Sequence, residues 1–351
     1  MPPTRVETAA PALRRTALHS GDRIDHYFIE SVVARSGMAS IFRATDLRTG
    51  QPVAIKVPHP EMESDPVFLA RFEREAEIGG ALDHPGVMKV FTDESRSCLY
   101  MAMEWVEGCE LRKFVMQRGK LPPERAVGIT MSICRAVDYI HAHGVVHRDL
   151  KPDNIMIGDG DRTKLIDFGI ASRAGSRHLT FGSLSQIMGT PDYISPEQVG
   201  GQPGDARSDI YALGVMFYEL LTGKTPFRGS NPFAVMNDRL LNNPIPPREI
   251  DPAISPQLQE VVYRALRRDP ATRYASAGEF AWDLEHLDTI DIADRPELHE
   301  WDWRHRPLAK TILFYLGLAL IPIAIFTLLL QVARHSPAVP ESAAARQHRT
   351  R

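Results

Sequence analysis

Cysteine is scarce: the 351 residues hold three, Cys98, Cys109 and Cys134. They form no C-x-x-C pair and no metal-ligand spacing, which excludes a zinc ribbon or a disulfide-stapled scaffold and leaves reduced thiols as the expectation. A surplus of charge is missing too. Lys and Arg (41) nearly balance Asp and Glu (44), for a formal net charge of −3. The basic excess of a nucleic-acid binder is absent, and no nucleic-acid partner is expected. Internal repeats are absent. Residues 1–22 are polar and rich in Pro, Ala and Arg. They lack the apolar core of a secretory signal and read as a flexible lead-in. Hydrophobic residues at 43% and charged residues at 24% are an ordinary globular balance. The length allows one large or two ordinary domains.

Long apolar runs are rare, and one stands apart. Thr311 to Ala333 is 23 positions without a charge. At ~1.5 Å rise per residue, a helix of that length crosses a bilayer core. Pro322 lies inside it, as membrane helices tolerate. Trp301, Trp303, Arg304, Arg306 and Lys310 precede it as an interfacial anchor. The alternative is a buried C-terminal helix, but the run is apolar on every face. A transmembrane helix over 311–333 is therefore expected, preceded by a polar juxtamembrane linker (288–310). The short basic tail (334–351) is too small to bury a core of its own. Basic residues flank the span on both sides, so charge gives little help with orientation.

Upstream the chain divides by period. Tyr27–Val33, Ser40–Thr45 and Pro52–Val57 carry the alternation or β-branching of strands, and Ser97–Val106 reads as a strand pair. Phe68–Leu82 reads as an amphipathic helix. Beyond Gly108 the pattern turns helical. Glu124–His143 repeats Ala126, Ile129, Ile133, Val137 and Ile140 at helical spacing, after Pro122 and Pro123 at its start. Ser208–Thr222 reads as a buried helix ended by Gly223, followed by helices over Pro256–Arg267 and Ser276–Leu287.

The chemistry sits between these halves. His147-Arg148-Asp149-Leu150-Lys151-Pro152-Asp153-Asn154 is followed by Asp167-Phe168-Gly169. Asp149 can take a hydroxyl proton, and Lys151 lies beside it. The Asn154 amide and the Asp167 carboxylate follow at a spacing suited to Mg²⁺ on a nucleotide. Such a set suits phosphoryl transfer, where the protein positions groups and stabilises charge. Upstream stands Val53-Ala54-Ile55-Lys56; downstream stand Gly189-Thr190-Pro191-Asp192-Tyr193 and Ser195-Pro196-Glu197-Gln198. Together these runs resemble bacterial eukaryotic-like serine/threonine protein kinases, over roughly three-quarters of the chain.

The resemblance implies an α+β, bilobal protein-kinase fold over residues 23–287, with a small β-rich lobe before a large helical one. It implies ATP and Mg²⁺ (with Mn²⁺ as a substitute) as cofactors. Asp149 would orient the acceptor hydroxyl and accept its proton, and Lys151 would offset charge on the transferring phosphate. Asn154 and Asp167 would ligate the metal. Lys56 would contact the α- and β-phosphates, paired with Glu75; Glu73 and Glu77 are competing partners. Ala54 and Met103 would line the nucleotide pocket, and backbone groups of Glu104 and Val106 would meet the adenine edge. Arg148 would bind a phosphate on the activation segment, with Thr180, Ser183 and Ser185 as candidate acceptors. Thr190 would bond Asp149 and Lys151, Glu197 would pair with Arg273, and Asp209 would fix the catalytic-loop backbone.

One stretch departs from the family. The G-x-G-x-x-G-x-V pattern falls on Ala34, Ser36, Ala39 and Ile41, and only Gly37, outside the key positions, is glycine. Glycine there lets backbone N–H groups approach phosphates and serves any position with positive φ. Weaker ATP affinity with catalysis retained is the expectation; a pseudokinase scaffold is the alternative. The expected product is phosphoserine or phosphothreonine on protein substrates and on the chain itself. Further expected partners are a second copy in a homodimer, a cognate phosphatase and the membrane. The expected location is the bacterial inner membrane, single-pass, with the kinase domain in the cytosol.

Overall fold

The computed structural model describes residues 18–92, 96–167 and 191–293. The described residues open on an antiparallel sheet. Its strands are β1 (Arg23–Ile24), β2 (Tyr27–Arg35), β3 (Ala39–Asp46), β4 (Pro52–Pro58), β5 (Val90–Phe91) and β6 (Met101–Glu104), in the order β1-β2-β3-β4-β6-β5. Side chains alternate across the strands, as the two-residue period requires. Phe42, Ala44 and Ile55 pack with Tyr27, Ile29 and Tyr100 on one face. Ala54, Met101 and Met103 pack on the other with Phe72 and Ala76. Lys56 lies two residues beyond Ala54, so it shares that second face.

Helix α1 (Pro66–Ala81) covers the second face. Asp65 caps it by accepting from the Val67 and Phe68 N–H groups, and Pro66 takes the first helical position, where its missing N–H costs nothing. Phe72, Glu75, Ala76 and Gly79 are its buried stripe, at i, i+3, i+4 and i+7. The same stripe that anchors the helix therefore brings Glu75 toward Lys56.

The strand pair expected over Ser97–Val106 is not formed. Met101–Glu104 is a single strand, paired with β4 and with the two-residue β5. The preceding residues turn elsewhere. The Ser97 N–H and the Tyr100 hydroxyl both donate to the Asp25 carboxylate, at 3.2 and 2.9 Å, which ties this stretch to the β1–β2 turn.

The second lobe is mostly helical. It contains β7 (Cys109–Glu110), α2 (Leu111–Arg118), α3 (Pro123–Ala142), β8 (Ile155–Ile157), β9 (Thr163–Leu165), α4 (Pro196–Val199), α5 (Ala206–Thr222), α6 (Pro232–Leu241), α7 (Pro247–Ile250), α8 (Pro256–Ala265) and α9 (Ala277–Glu285). Strands β7, β8 and β9 form a small antiparallel sheet. Helices α8 and α9 stop two residues before their predicted ends, as helix termini often do.

Helix α5 is the pillar of this lobe, buried from Ser208 to Thr222. Asp205 and Ser208 form a capping box at its start, and Gly223 ends it in the left-handed region at φ +71°. Gly214 lets α8 approach closely: a Cβ there would sit 2.6 Å from Ala265 Cβ. Among the described residues no helix is long and apolar enough to cross a membrane. The span predicted at 311–333 lies outside the described residues.

Candidate active site

Lys56 is the link between the lobes. Its Nζ donates to Glu75 Oε1 at 3.0 Å and Oε2 at 3.2 Å, and to Asp167 Oδ1 at 3.3 Å. Glu75 is the partner, not its neighbours; Glu77 faces outward and pairs with Arg74 instead. Burial works against the Lys56 charge, but Asp167 and Glu75 outweigh it and hold the ammonium well above the ordinary lysine pKa. A half-buried cation between two carboxylates is a fixed positive point, suited to a polyphosphate.

Asp167 reaches this position because β9 is anchored to the first lobe. The Leu165 N–H donates to Gly86 O at 2.8 Å, and the Met88 N–H donates to Leu165 O at 2.9 Å. The Ile166 N–H then donates to Asn154 O at 2.8 Å. Asp167 itself takes φ +56°, a left-handed conformation uncommon outside glycine, and its carboxylate remains half-exposed.

The catalytic-loop residues converge from the other side. Lys151 Nζ donates to Asp149 Oδ2 at 2.8 Å. Asn154 Nδ2 donates to Asp149 O at 2.8 Å, which leaves its amide oxygen available to a hard cation. With the open Asp167 carboxylate, the donor set is oxygen only and fits Mg²⁺.

Asp209 holds this loop from α5. It is 1% exposed, and its two oxygens accept the His147 and Arg148 N–H groups at 2.8 and 2.7 Å. His141 Nε2 bonds the same carboxylate at 2.8 Å. Those bonds answer the cost of burying the charge and fix Arg148 at φ +64°. Burial pushes His147 below the usual imidazole range, against the pull of Asp209, Asp149 and Asp167. A neutral ring suits its contact, since Nδ1 accepts the Asp149 N–H at 3.3 Å.

The loop that lacks the three key glycines is a closed hairpin tip. The Ser36 N–H and Oγ both donate to Ala39 O, at 2.9 and 3.0 Å. Ser36 Oγ in turn accepts the Met38 and Ala39 N–H groups at 3.2 and 3.1 Å. None of Ala34, Ser36, Gly37, Ala39 or Ile41 has positive φ, so the expected need for glycine at such an angle does not arise. The physical difference is that two tip N–H groups are engaged by a side chain. Replacing Ala34, Ser36 and Ala39 together by Gly should lower the apparent KM for ATP about fivefold, the worth of roughly one hydrogen bond. An unchanged KM in steady-state assays would refute that account.

Ile41, Ala54, Met103 and Val106 fall in one apolar cluster, joined by Ile166. Glu104 leads out of it. Its N–H donates to Lys89 O at 2.9 Å, and Lys164 of β9 grips both its carboxylate oxygens. Gly108 closes the connection at φ +130°, where a Cβ would lie 2.2 Å from Ile157 O.

Sequence reasoning missed several of these groups. Lys164 carried no signal, since its role depends on a residue 60 positions away. Gln198 donates to Arg148 O at 3.1 Å and accepts the Ser195 N–H at 3.1 Å, a helix-start spacing readable in advance. Thr180, Ser183, Ser185 and Thr190, with Phe168 and Gly169, lie outside the described residues.

Known proteins are similar to this chain. The family described as protein kinase domain matches residues 29–281. Serine/threonine-protein kinase PknB of Mycolicibacterium smegmatis is 38% identical over 279 residues, which cover 78% of this chain and 45% of that one. PknB of Mycobacterium leprae is 39% identical over 279 residues, with the same coverages of 78% and 45%. The chain thus spans less than half the length of these curated relatives. Among solved structures, the Mycobacterium tuberculosis PknI kinase domain aligns at a TM-score of 0.61 and 28% identity, covering 78% of this chain and 100% of that one. A β-rich lobe joined to a helical lobe through Lys56, Glu75 and Asp167, and a family match over most of its length, establish that the chain belongs to the protein kinase domain family.

Proposed function

We propose that the chain transfers the terminal phosphoryl group of ATP to serine and threonine hydroxyls of proteins, itself included. The observation that carries this reading is the Lys56 ammonium, held 3.0 Å from Glu75 and 3.3 Å from Asp167, together with the Asp149–Lys151 pair at 2.8 Å. The names of the relatives agree with it. Lys56 would meet the α- and β-phosphates. Asn154 and Asp167 would hold Mg²⁺, which when bound neutralises charge on the phosphates. Asp149 would orient the acceptor hydroxyl and take its proton, while Lys151 offsets negative charge on the group in transit. Arg148 would engage a phosphate on the 168–190 segment, with Thr180, Ser183 and Ser185 as acceptors.

The pseudokinase alternative rests on the missing glycines. The chain retains Lys56, Glu75, Asp149, Lys151 and Asp167, which supports altered nucleotide affinity over lost chemistry. The decisive assay follows label from γ-labelled ATP into protein serine and threonine. Lys56→Met should cut kcat/KM by about 10²–10³-fold, the range for removing one fixed charge-stabilising donor. No labelling by the unaltered protein, or equal labelling by Lys56→Met, would sink the reading.

The uncharged run at 311–333 supports a second part of the proposal, a single-pass anchor in the bacterial inner membrane with the catalytic lobes on the ATP-containing side. It would raise the effective concentration of the enzyme toward membrane-bound substrates.

A further inference from the structure

The largest fully buried side chain among the described residues is an arginine outside the catalytic set. Arg239, on α6, is 1% exposed. Among the described residues no carboxylate pairs with it. Its Nη1 donates to Pro191 O at 2.7 Å and its Nη2 donates to Asp192 O at 2.5 Å. The guanidinium lies over Phe227 at 5.5 Å and Tyr211 at 5.9 Å. The Asp192 carboxylate lies close enough to feel this charge but forms no ion pair with it; burying a cation with no bonded anion is costly, and an apolar side chain of similar length would fill the same space more cheaply. What an apolar side chain could not do is hold two consecutive carbonyls in a fixed fork.

Those carbonyls belong to a short 3₁₀ turn, Pro191–Tyr193, that is tied to the catalytic loop on both sides. On one side the Tyr193 hydroxyl donates to Glu219, which also binds Arg112 at 3.2 Å. Arg112 in turn binds Asp153 at 3.2 Å, one residue before Asn154. On the other side Gln198 holds Arg148 O, next to Asp149. The turn is therefore a ledge beside Asp149, and Arg239 is its attachment to the far helix.

We propose that Arg239 is a positioning residue for the acceptor protein: it fixes the 191–193 ledge on which the acceptor chain rests, and it takes no part in binding nucleotide. The inference rests on the phosphoryl-transfer reading above. It predicts a split in kinetic constants that a general loss of packing would not produce.

The test uses the full chain, with two acceptors: its own Asp149→Asn copy and dephosphorylated casein. Arg239→Met should raise the acceptor KM about tenfold or more, with the KM for ATP within about twofold of the original. Arg239→Lys, which keeps a charge but loses the fork, should fall between the two. If Arg239→Met does not fold, Arg239→Lys alone decides, with an acceptor KM raised about threefold or more as the supporting result. An unmoved acceptor KM in the folded variants, or equal rises in both constants, overturns the proposal. Failure of the unaltered chain to label either acceptor removes the phosphoryl-transfer reading, and this inference with it.

Discussion

Asp149→Asn should leave the chain folded and lower phosphoryl transfer by about 10²–10⁴-fold, the usual contribution of a positioned general base. The exchange is nearly isosteric, and Asp149 is held mainly through its backbone. Its N–H reaches His147 and its carbonyl accepts from Asn154. Neither contact depends on the carboxylate. Lys151 loses its anionic partner at 2.8 Å, but both side chains are partly exposed, so the cost in stability is small. The affinity for Mg·ATP should therefore change little while kcat falls. The Lys56 site is separate, since its carboxylates are Glu75 and Asp167. Single-turnover labelling, with nucleotide binding measured in parallel, checks the split. Equal kcat in the variant and the original would show that Asp149 does not handle the acceptor proton.

How much of this site could be read in advance depends on the kind of interaction. Lys56 and Glu75 were legible through the resemblance, which implied the pair and left Glu73 and Glu77 as competing partners; strand alternation and the buried stripe of α1 are why Glu75 is the one that meets Lys56. A helix start was legible where proline marks it, as at Pro123, whereas the Asp205 cap went unread and α5 begins at Ala206, two residues ahead of the expected Ser208. The false strand pair over Ser97–Val106 shows the opposite case. The strand that pairs with Met101–Glu104 on its outer side is only two residues long, below the length at which alternation can register. Ser36 shows a third limit. Its substitution for glycine was visible, but its hydroxyl bonds to the tip are a matter of local geometry. Arg239 was invisible, because an arginine late in a helix reads as a solvated C-terminal charge. Only the packing of α6 onto Pro191–Tyr193 reveals that it is buried.

Arg273→Ala should destabilise the helical lobe by ~3–5 kcal/mol, because it strands a buried carboxylate. Arg273 is buried and meets Glu197 in a two-point bridge, at 2.8 Å to Oε1 and 2.7 Å to Oε2. It also donates to the carbonyls of Arg207, Arg267 and Arg268, so one side chain ties α4, α5 and the segment after α8 together. A melting-temperature loss on the order of 10 °C is expected. The pair also sets a pH dependence. Burial raises the Glu197 carboxyl, but Arg273 and Ser208 more than reverse this and bring it from 4.5 to about 2. A pKa depressed in the folded state stabilises in full above the unfolded value, near 4.5, and is lost as pH falls through about 2. The unaltered protein should therefore lose more stability than Glu197→Gln as the pH is lowered from 5 toward 2. Because Glu197 is the carboxylate in question, its removal should flatten that part of the curve and leave the neutral-pH slope alone. Parallel acid-limb slopes for the two proteins would mean that the bridge is not the group that titrates.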